Sequence, residues 1–217
     1  MSSVSKRIEL IHGLFPERGW YRKLTPFERL VSTILSQNTS REATILGFEN
    51  LRKRFQISPR VLAKASIDEI KACIRPAGLY HTKAPRIKEL ARIIVDEYGG
   101  DFDEFSRMPT DVARELLMKI PGIGHKTADV FLSIAAGGKN FAVDTHIARI
   151  ARRWQLVGDK EGYEKTRLAY EALIPPDRRR RAHIALIDFG REICRARAPR
   201  CAECPVYGQC EWEGKGR

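Results

Sequence analysis

Four of the five cysteines lie near the C-terminus, at Cys194, Cys201, Cys204 and Cys210, with the spacing C-x6-C-x2-C-x5-C. Clustered thiolates bind metals, whereas disulfides are rare in the reducing compartments of a cell. The spacing therefore predicts a metal site, and sulfur ligation alone fits either a zinc ion or an iron–sulfur cluster. Cys73 lies far from this group in the sequence and is interpreted as a small core residue.

A lysine and an aspartate that are eighteen residues apart, Lys126 and Asp144, could form a nucleophile with an assisting carboxylate. Lys126 is predicted at the start of a helix, where the positive end of the helix dipole disfavours an ammonium, and burial would act in the same direction. Both effects favour the neutral amine, which is the nucleophilic form. The ordinary alternatives are a solvated lysine and an aspartate that only caps a helix.

The segment Pro121-Gly122-Ile123-Gly124 interrupts a helical pattern. Glycines here let the backbone turn tightly and let a partner approach it closely. The free amides, together with the N-terminus of the following helix, predict an anion site that a DNA phosphate would fit. An ordinary turn between two helices is the alternative.

The composition indicates a globular protein with an anionic partner. Hydrophobic residues make up 43% of the 217 residues, and the formal net charge is +12. Charge alone does not separate DNA, RNA and an acidic membrane surface. Because the chain has no apolar stretch of about 18 residues and no leader-like apolar run near Met1, we expect an intracellular protein that does not span a membrane. The lack of long heptads favours a monomer.

The elements that must position these residues are predicted to be helices, because the chain shows no sustained two-residue alternation. Three capping boxes are predicted at helix starts: Thr25 with Glu28, Thr39 with Glu42, and Ser66 with Glu69. Further helices are predicted over residues 82–98, 111–119, 161–174 and 177–193, from His125 or Lys126 to Gly137-Gly138, and after Asp144 as N-cap.

Residues 117–146, with the sequence LMKIPGIGHKTADVFLSIAAGGKNFAVDTH, resemble the helix-hairpin-helix motif and the following Gly/Pro–Asp segment of the endonuclease III family. The resemblance extends from about Pro26 to the last cysteine. It implies an all-α fold in which two helical lobes flank a DNA-binding cleft. We expect a six-helix domain with the helix-hairpin-helix motif over residues 25–138, and a second domain with a C-terminal iron–sulfur cluster loop from residues 1–24 and 139–217.

The resemblance also implies a bifunctional DNA glycosylase and abasic-site lyase of base excision repair. Its partner would be double-stranded DNA that contains a damaged base or an abasic site, with the target nucleotide flipped into a pocket. Lys126 would attack the sugar C1′ and form a Schiff base, and β-elimination would cut the strand. Asp144 would help to deprotonate Lys126 and would stabilise positive charge on the sugar. Related monofunctional glycosylases lack the lysine.

Further DNA contacts are implied by the same resemblance. Gln37 and Leu79 would fill the gap that the flipped nucleotide leaves, although without the family Gln37 is a plain helix end and Leu79 a core residue. The surrounding Ser36-Gln37-Asn38 departs from the family pattern, which leaves the specificity of the pocket open. Other candidate DNA contacts come from the residues themselves: the hairpin glycines Gly122 and Gly124, and the basic residues of the cysteine loop, Arg195, Arg197 and Arg200, which would lie against phosphates. His146 is a candidate for a backbone contact near the site, and its alternative is an ordinary polar residue near a helix start.

The spacing of the four cysteines matches the [4Fe–4S] loop of the endonuclease III family, so the resemblance favours that cluster over zinc. Oxidised pyrimidines are the expected substrate, and uracil or thymine mismatched with guanine is the enzymatic alternative. A hypothesis of another class is a DNA-binding module without activity that carries a structural zinc. An RNA-binding protein is a third, but the sequence shows no sign of an aromatic stacking platform on a sheet.

Overall fold

The computed structural model describes residues 3–15, 24–102, 107–135 and 140–216, and regular structure within these ranges consists of helices alone. The α-helices are α1 Ser3–Leu14, α2 Pro26–Ser36, α3 Arg41–Arg54, α4 Pro59–Lys64, α5 Ile67–Ile74, α6 Tyr80–Tyr98, α7 Thr110–Lys119, α8 His125–Ala135, α9 Thr145–Arg153, α10 Tyr163–Leu173 and α11 Pro176–Glu192. Short 3-10 turns lie between α5 and α6, at Arg75–Ala77, and after α11, at Cys201–Glu203 and Tyr207–Gln209. The all-α prediction is confirmed.

The start of α2 is the predicted capping box. The Thr25 hydroxyl accepts from the Glu28 amide at 3.3 Å, and Glu28 Oε2 accepts from the Thr25 amide at 2.8 Å. Pro26 takes the first helical position, where its missing amide proton costs nothing. The apolar face behind this cap is buried as the helical spacing predicts, through Phe27, Leu30, Val31, Ile34 and Leu35.

The second predicted capping box, Thr39 with Glu42, is wrong. Ser40 caps α3 instead, and its hydroxyl accepts from the Ala43 amide at 3.2 Å. The Thr39 hydroxyl lies 2.5 Å from the carbonyl oxygen of Ala77, which is distant in sequence. The Thr39 hydroxyl therefore takes part in a contact between two loops, although the local sequence pattern predicts it as the cap of α3.

Only the serine half of the third predicted capping box, Ser66 with Glu69, forms. The Ser66 hydroxyl accepts from the Asp68 amide at 3.3 Å, as a cap does. The carboxylate of Glu69 pairs with Arg54 of α3 rather than with the Ser66 amide.

The other predicted helices end within about two residues of the observed bounds, and the end expected at 137–138 lies outside the described residues.

Contacts divide the chain into two compact units, residues 20–136 and residues 1–19 with 137–217. In the first unit α4 packs on α6, and α2 packs on α8, the helix that follows the hairpin. In the second unit α11 packs against both α1 and α9. None of the described helices is both long and apolar enough to span a membrane.

Candidate functional site

The hairpin between α7 and α8 presents its backbone to solvent. Gly122 has φ +86°, a conformation that favours glycine, and a Cβ there would lie 3.0 Å from Cδ of Arg86. Gly124 has no atom within 4 Å of the place of a Cβ, so a partner could approach it closely. Its carbonyl accepts from the Ala128 amide at 3.0 Å and so begins α8, whose first amides lack helical partners. The hairpin and the start of α8 therefore expose backbone amides that could bind an anion, and Arg86 lies beside them.

Lys126 lies in the first turn of α8 and is exposed, so the burial considered from the sequence is not found. Its neighbour Thr127 is buried, and the Thr127 hydroxyl lies 3.5 Å from Nε2 of Gln37. Gln37 is thus more than a plain helix end, because its side chain reaches the helix that carries Lys126.

An ion pair braces the two helices of the hairpin. Arg114 of α7 donates to both carboxylate oxygens of Asp129 in α8, at 2.7 and 3.1 Å, and Asp129 is fully buried. Nη2 of Arg114 also lies 3.1 Å from Nδ1 of His125. Bidentate pairing of this kind fixes orientation as well as distance. The sequence did not single out Arg114 or Asp129.

The loop before α6 carries Leu79 on its surface. The side chain of Leu79 is 56% exposed, which contradicts its alternative interpretation as a core residue. Its backbone adopts the left-handed conformation with φ 47°, and Asn38 in the neighbouring loop has φ 52°. A non-glycine residue rarely adopts this conformation unless its surroundings hold it there.

Asp144 is the N-cap of α9, as predicted. It is buried, with 9% exposed, and its Oδ1 accepts from the Ile147 amide at 2.8 Å. His146, two residues further on, is half-buried, and burial lowers its pKa although Asp144 raises it. Gly190 of α11 allows this packing, because a Cβ there would lie 2.7 Å from Cβ of His146.

The four cysteines of the C-terminal segment line one cavity. All four are half-buried and unpaired by disulfides. Burial raises the pKa of Cys204 to about 11, and the other three cysteines raise it as well, since neighbouring thiolates repel one another. In the part of the chain that the structure describes, no three or more side chains of ligating type are arranged to hold a metal ion.

Two arginines of α9 attach the cysteine segment to the helix that Asp144 caps. Arg149 donates to the carbonyl of Cys194 at 3.0 Å. Arg153 donates to Sγ of Cys194 at 3.1 Å and to the carbonyl of Arg195 at 2.8 Å, and it stacks 3.9 Å from the ring of Trp212. The sequence showed only basic residues here and gave no sign that they face the cysteines.

The basic loop between the first two cysteines is open to solvent. Arg195, Arg197 and Arg200 are all exposed. Arg200 pairs with Glu203, and Arg195 donates to the carbonyl of Glu192 at 3.1 Å. Within residues 20–136 the structure therefore assembles the hairpin, Lys126 and Gln37, and within the other unit it joins Asp144 and His146 to the cysteine segment.

Known proteins resemble this chain over nearly its whole length. The profile of the HhH-GPD superfamily base excision DNA repair proteins matches residues 31–176. The endonuclease III of Thermotoga maritima is 36% identical over 199 residues, which cover 90% of this chain and 89% of that protein. A thymine-DNA glycosylase of Aeropyrum pernix is 30% identical over 199 residues, covering 88% and 84%. An endonuclease III solved as a trapped covalent intermediate with DNA has a TM-score of 0.83 and 29% identity, covering 96% of this chain and 94% of that chain.

Proposed function

The chain belongs to the HhH-GPD superfamily of base excision DNA repair proteins, and we propose that it is a bifunctional DNA glycosylase and abasic-site lyase. Its substrate is double-stranded DNA that contains an oxidised pyrimidine or an abasic site. One observation carries the proposal: Lys126 offers an exposed amine in the first turn of α8, directly after a hairpin whose amides can bind a phosphate. A phosphate bound there brings the sugar of a nearby nucleotide toward this amine.

The proposed reaction starts with the target nucleotide turned out of the duplex. The Lys126 amine attacks C1′ of the sugar, the bond between C1′ and the base breaks, and the base leaves. Asp144 helps to take the proton that Lys126 gives up, and it stabilises the positive charge that develops on the sugar. The C1′–O4′ bond of the adduct then breaks, O4′ takes a proton, and a Schiff base forms between Nζ and C1′. β-Elimination then breaks the C3′–O bond on the 3′ side of the lesion.

Borohydride trapping tests this reaction, because reduction turns the Schiff base into a stable covalent bond. We expect a covalent product between the wild type and duplex DNA that contains thymine glycol, and none with Lys126→Ala. Lys119→Ala is the matched control, since Lys119 is exposed at the end of α7 on the other side of the hairpin. A Lys126→Ala variant that still forms the product would contradict the mechanism.

The second candidate substrate is thymine or uracil opposite guanine. The relative from Aeropyrum pernix, a thymine-DNA glycosylase at 30% identity, favours it. Single-turnover base release compares thymine glycol opposite adenine with thymine opposite guanine in otherwise identical duplexes. Faster release of thymine glycol supports the oxidised-pyrimidine substrate, and faster release of thymine replaces it with the mismatch.

We further propose that Cys194, Cys201, Cys204 and Cys210 hold a [4Fe–4S] cluster. Their spacing matches the endonuclease III loop, and all four side chains line one cavity. A donor set made only of thiolates suits iron as well as zinc, and the spacing favours the cluster. When bound, the cluster supplies four iron–thiolate bonds that hold the basic loop in place.

Metal analysis of the purified protein tests the cluster. We expect about four iron and about four acid-labile sulfide per chain, with a broad absorption band in the visible range. One zinc and no iron would contradict the proposal and support a structural zinc. Cys73→Ser is the control, because that thiol lies in the other unit and should leave the iron content unchanged.

A further inference from the structure

Lys83 is a buried lysine whose hydrogen-bond partners are uncharged oxygens. It lies in the first turns of α6, and only 1% of it is exposed. Its ammonium donates to the carbonyl of Leu35 at 2.7 Å, to Thr39 Oγ1 at 2.7 Å and to the carbonyl of Ala77 at 2.9 Å. An ammonium has three protons, so these three acceptors satisfy it completely. Burial lowers the pKa of Lys83 to about 8, which leaves the ammonium as the main form at neutral pH.

Stability alone does not explain a lysine at this position. Removing an ammonium from water is unfavourable, and an apolar side chain of similar length would avoid that loss. The positive end of α6 adds to the unfavourable terms, because Lys83 lies near the helix start. The three bonds, however, join three separate segments: the end of α2, the loop 37–40 and the turn 75–79.

One of the two loops that Lys83 joins contains strained backbone. Leu79 has φ 47°, a left-handed conformation that is unfavourable for leucine, whereas Asn38 in the other loop has φ 52°, which asparagine adopts readily. Such conformations persist only where the surrounding structure fixes them. The exposed side chain of Leu79 packs too little to do so, whereas Ala77, which accepts from Lys83, lies two residues from Leu79.

Thr39 connects the loops to each other. Its hydroxyl accepts from Lys83 and lies 2.5 Å from the Ala77 carbonyl and 3.0 Å from the Gln37 carbonyl, so its own proton can bond to either. The Gln37 side chain in turn contacts Thr127 of α8 at 3.5 Å. A single network therefore reaches from the buried ammonium to both loops and to the helix of Lys126.

We propose that Lys83 is a positioning residue that holds Gln37 and Leu79 in the conformation in which they contact DNA. This inference rests on the proposed function, in which these two side chains fill the gap left by the flipped nucleotide. Without the ammonium, the two loops lose their common donor and Leu79 leaves its left-handed conformation. Lys83 itself touches no reacting atom, so its loss acts only through the loops.

The test is the variant Lys83→Met, which keeps the length of the side chain and removes its three donors. The measured quantity is the ratio of affinities for an abasic-site duplex and an undamaged duplex. We expect this ratio to fall at least tenfold, while the affinity for undamaged DNA stays unchanged because the phosphate contacts remain. Lys88→Met is the matched control: Lys88 lies on the same helix and donates to the carbonyl of Ala65, away from both loops.

A double-mutant cycle separates positioning from a general structural role. Gln37→Ala combined with Leu79→Ala removes the side chains through which Lys83 acts, so Lys83→Met should change the ratio less than twofold in that background. An equal tenfold loss in both backgrounds would overturn the inference. If Lys83→Met does not fold, as thermal unfolding would show, Thr39→Val takes its place in the same cycle, since it removes the connecting hydroxyl and keeps the shape.

The wild type is assayed by borohydride trapping in the same series. A wild type that traps, with Lys83→Met binding like Lys88→Met, contradicts this inference and leaves the proposed function intact. A wild type that neither traps nor prefers the abasic duplex contradicts the proposed function, and the inference with it.

Discussion

Asp144 combines two roles that a single substitution can separate. Its Oδ1 accepts from the Ile147 amide at 2.8 Å and so caps α9, while the proposed reaction needs its negative charge. Asparagine caps helices about as well as aspartate but carries no charge. Alanine can fill neither role. Loss of the cap should therefore lower the stability, and loss of the charge should lower the rate of base release.

We expect Asp144→Asn to leave the free energy of unfolding within about 0.5 kcal/mol of the wild type, and Asp144→Ala to lower it by about 1 kcal/mol. Both variants should slow base release by roughly 100-fold or more, because each removes the charge that stabilises the developing cation. Urea unfolding and single-turnover base release measure the two quantities. Wild-type activity in the asparagine variant would show that Asp144 only caps the helix.

Single residues differ in how far the sequence predicts them. The cap at Asp144 was predicted correctly, because capping depends on neighbours along the chain. Lys83 and Arg153 were not predicted, since lysine and arginine are usually exposed and their burial depends on contacts that are distant in sequence. Arg153, for instance, contacts Cys194 and Trp212, which lie about 40 and 60 residues later in the chain.

At the scale of elements, the hairpin depends on the ion pair between the helices beside it. Arg114 and Asp129 form two bonds between α7 and α8, and the carboxylate is fully buried. The turn sequence alone lets the chain reverse, but this pair fixes how α8 leaves the turn. It therefore helps to determine where the hairpin amides and Lys126 point.

Arg114→Met should lower the free energy of unfolding by about 3 kcal/mol or more, because it takes the bidentate partner from a buried carboxylate. Adding Asp129→Asn should restore part of that loss, since the amide is neutral. Arg92→Met is the control, because Arg92 pairs with Glu89 at the surface, and it should leave the stability nearly unchanged. Urea unfolding measures all three. Equal losses from Arg114→Met and Arg92→Met would mean that the buried pair does not brace the hairpin.

Helices were predicted well and their connections poorly. The period of apolar residues and the glycine after Tyr98 located α6 to within two residues at its start. The capping box at Thr39 was wrong, because Thr39 and Ser40 are both hydroxyl residues and only the contact with Ala77 decides which one caps α3. The left-handed backbone of Leu79 was equally unpredictable, because leucine has no local preference for it.

For the molecule as a whole, the sequence predicted an all-α chain and a nucleic-acid partner. The lack of two-residue alternation excluded a sheet-based fold, and the family motif indicated the arrangement of the helices. Net charge pointed to an anion but not to a kind of anion. The structure shows where part of the positive charge lies: on Arg86 beside the hairpin and on the exposed arginines of the cysteine loop.

Binding of undamaged duplex should therefore depend steeply on salt. Each neutralised phosphate contributes a slope of about −0.9 to a plot of log K against log salt concentration, and six to ten contacts give a slope between about −5 and −9. Arg86→Gln should make the slope shallower by about one, because it removes one contact beside the hairpin phosphate. Arg92→Gln, on the same helix but paired with Glu89, should leave it unchanged. Titrations from low to physiological salt measure the slopes, and a wild-type slope shallower than about −2 would mean that the net charge of +12 serves something other than the DNA backbone.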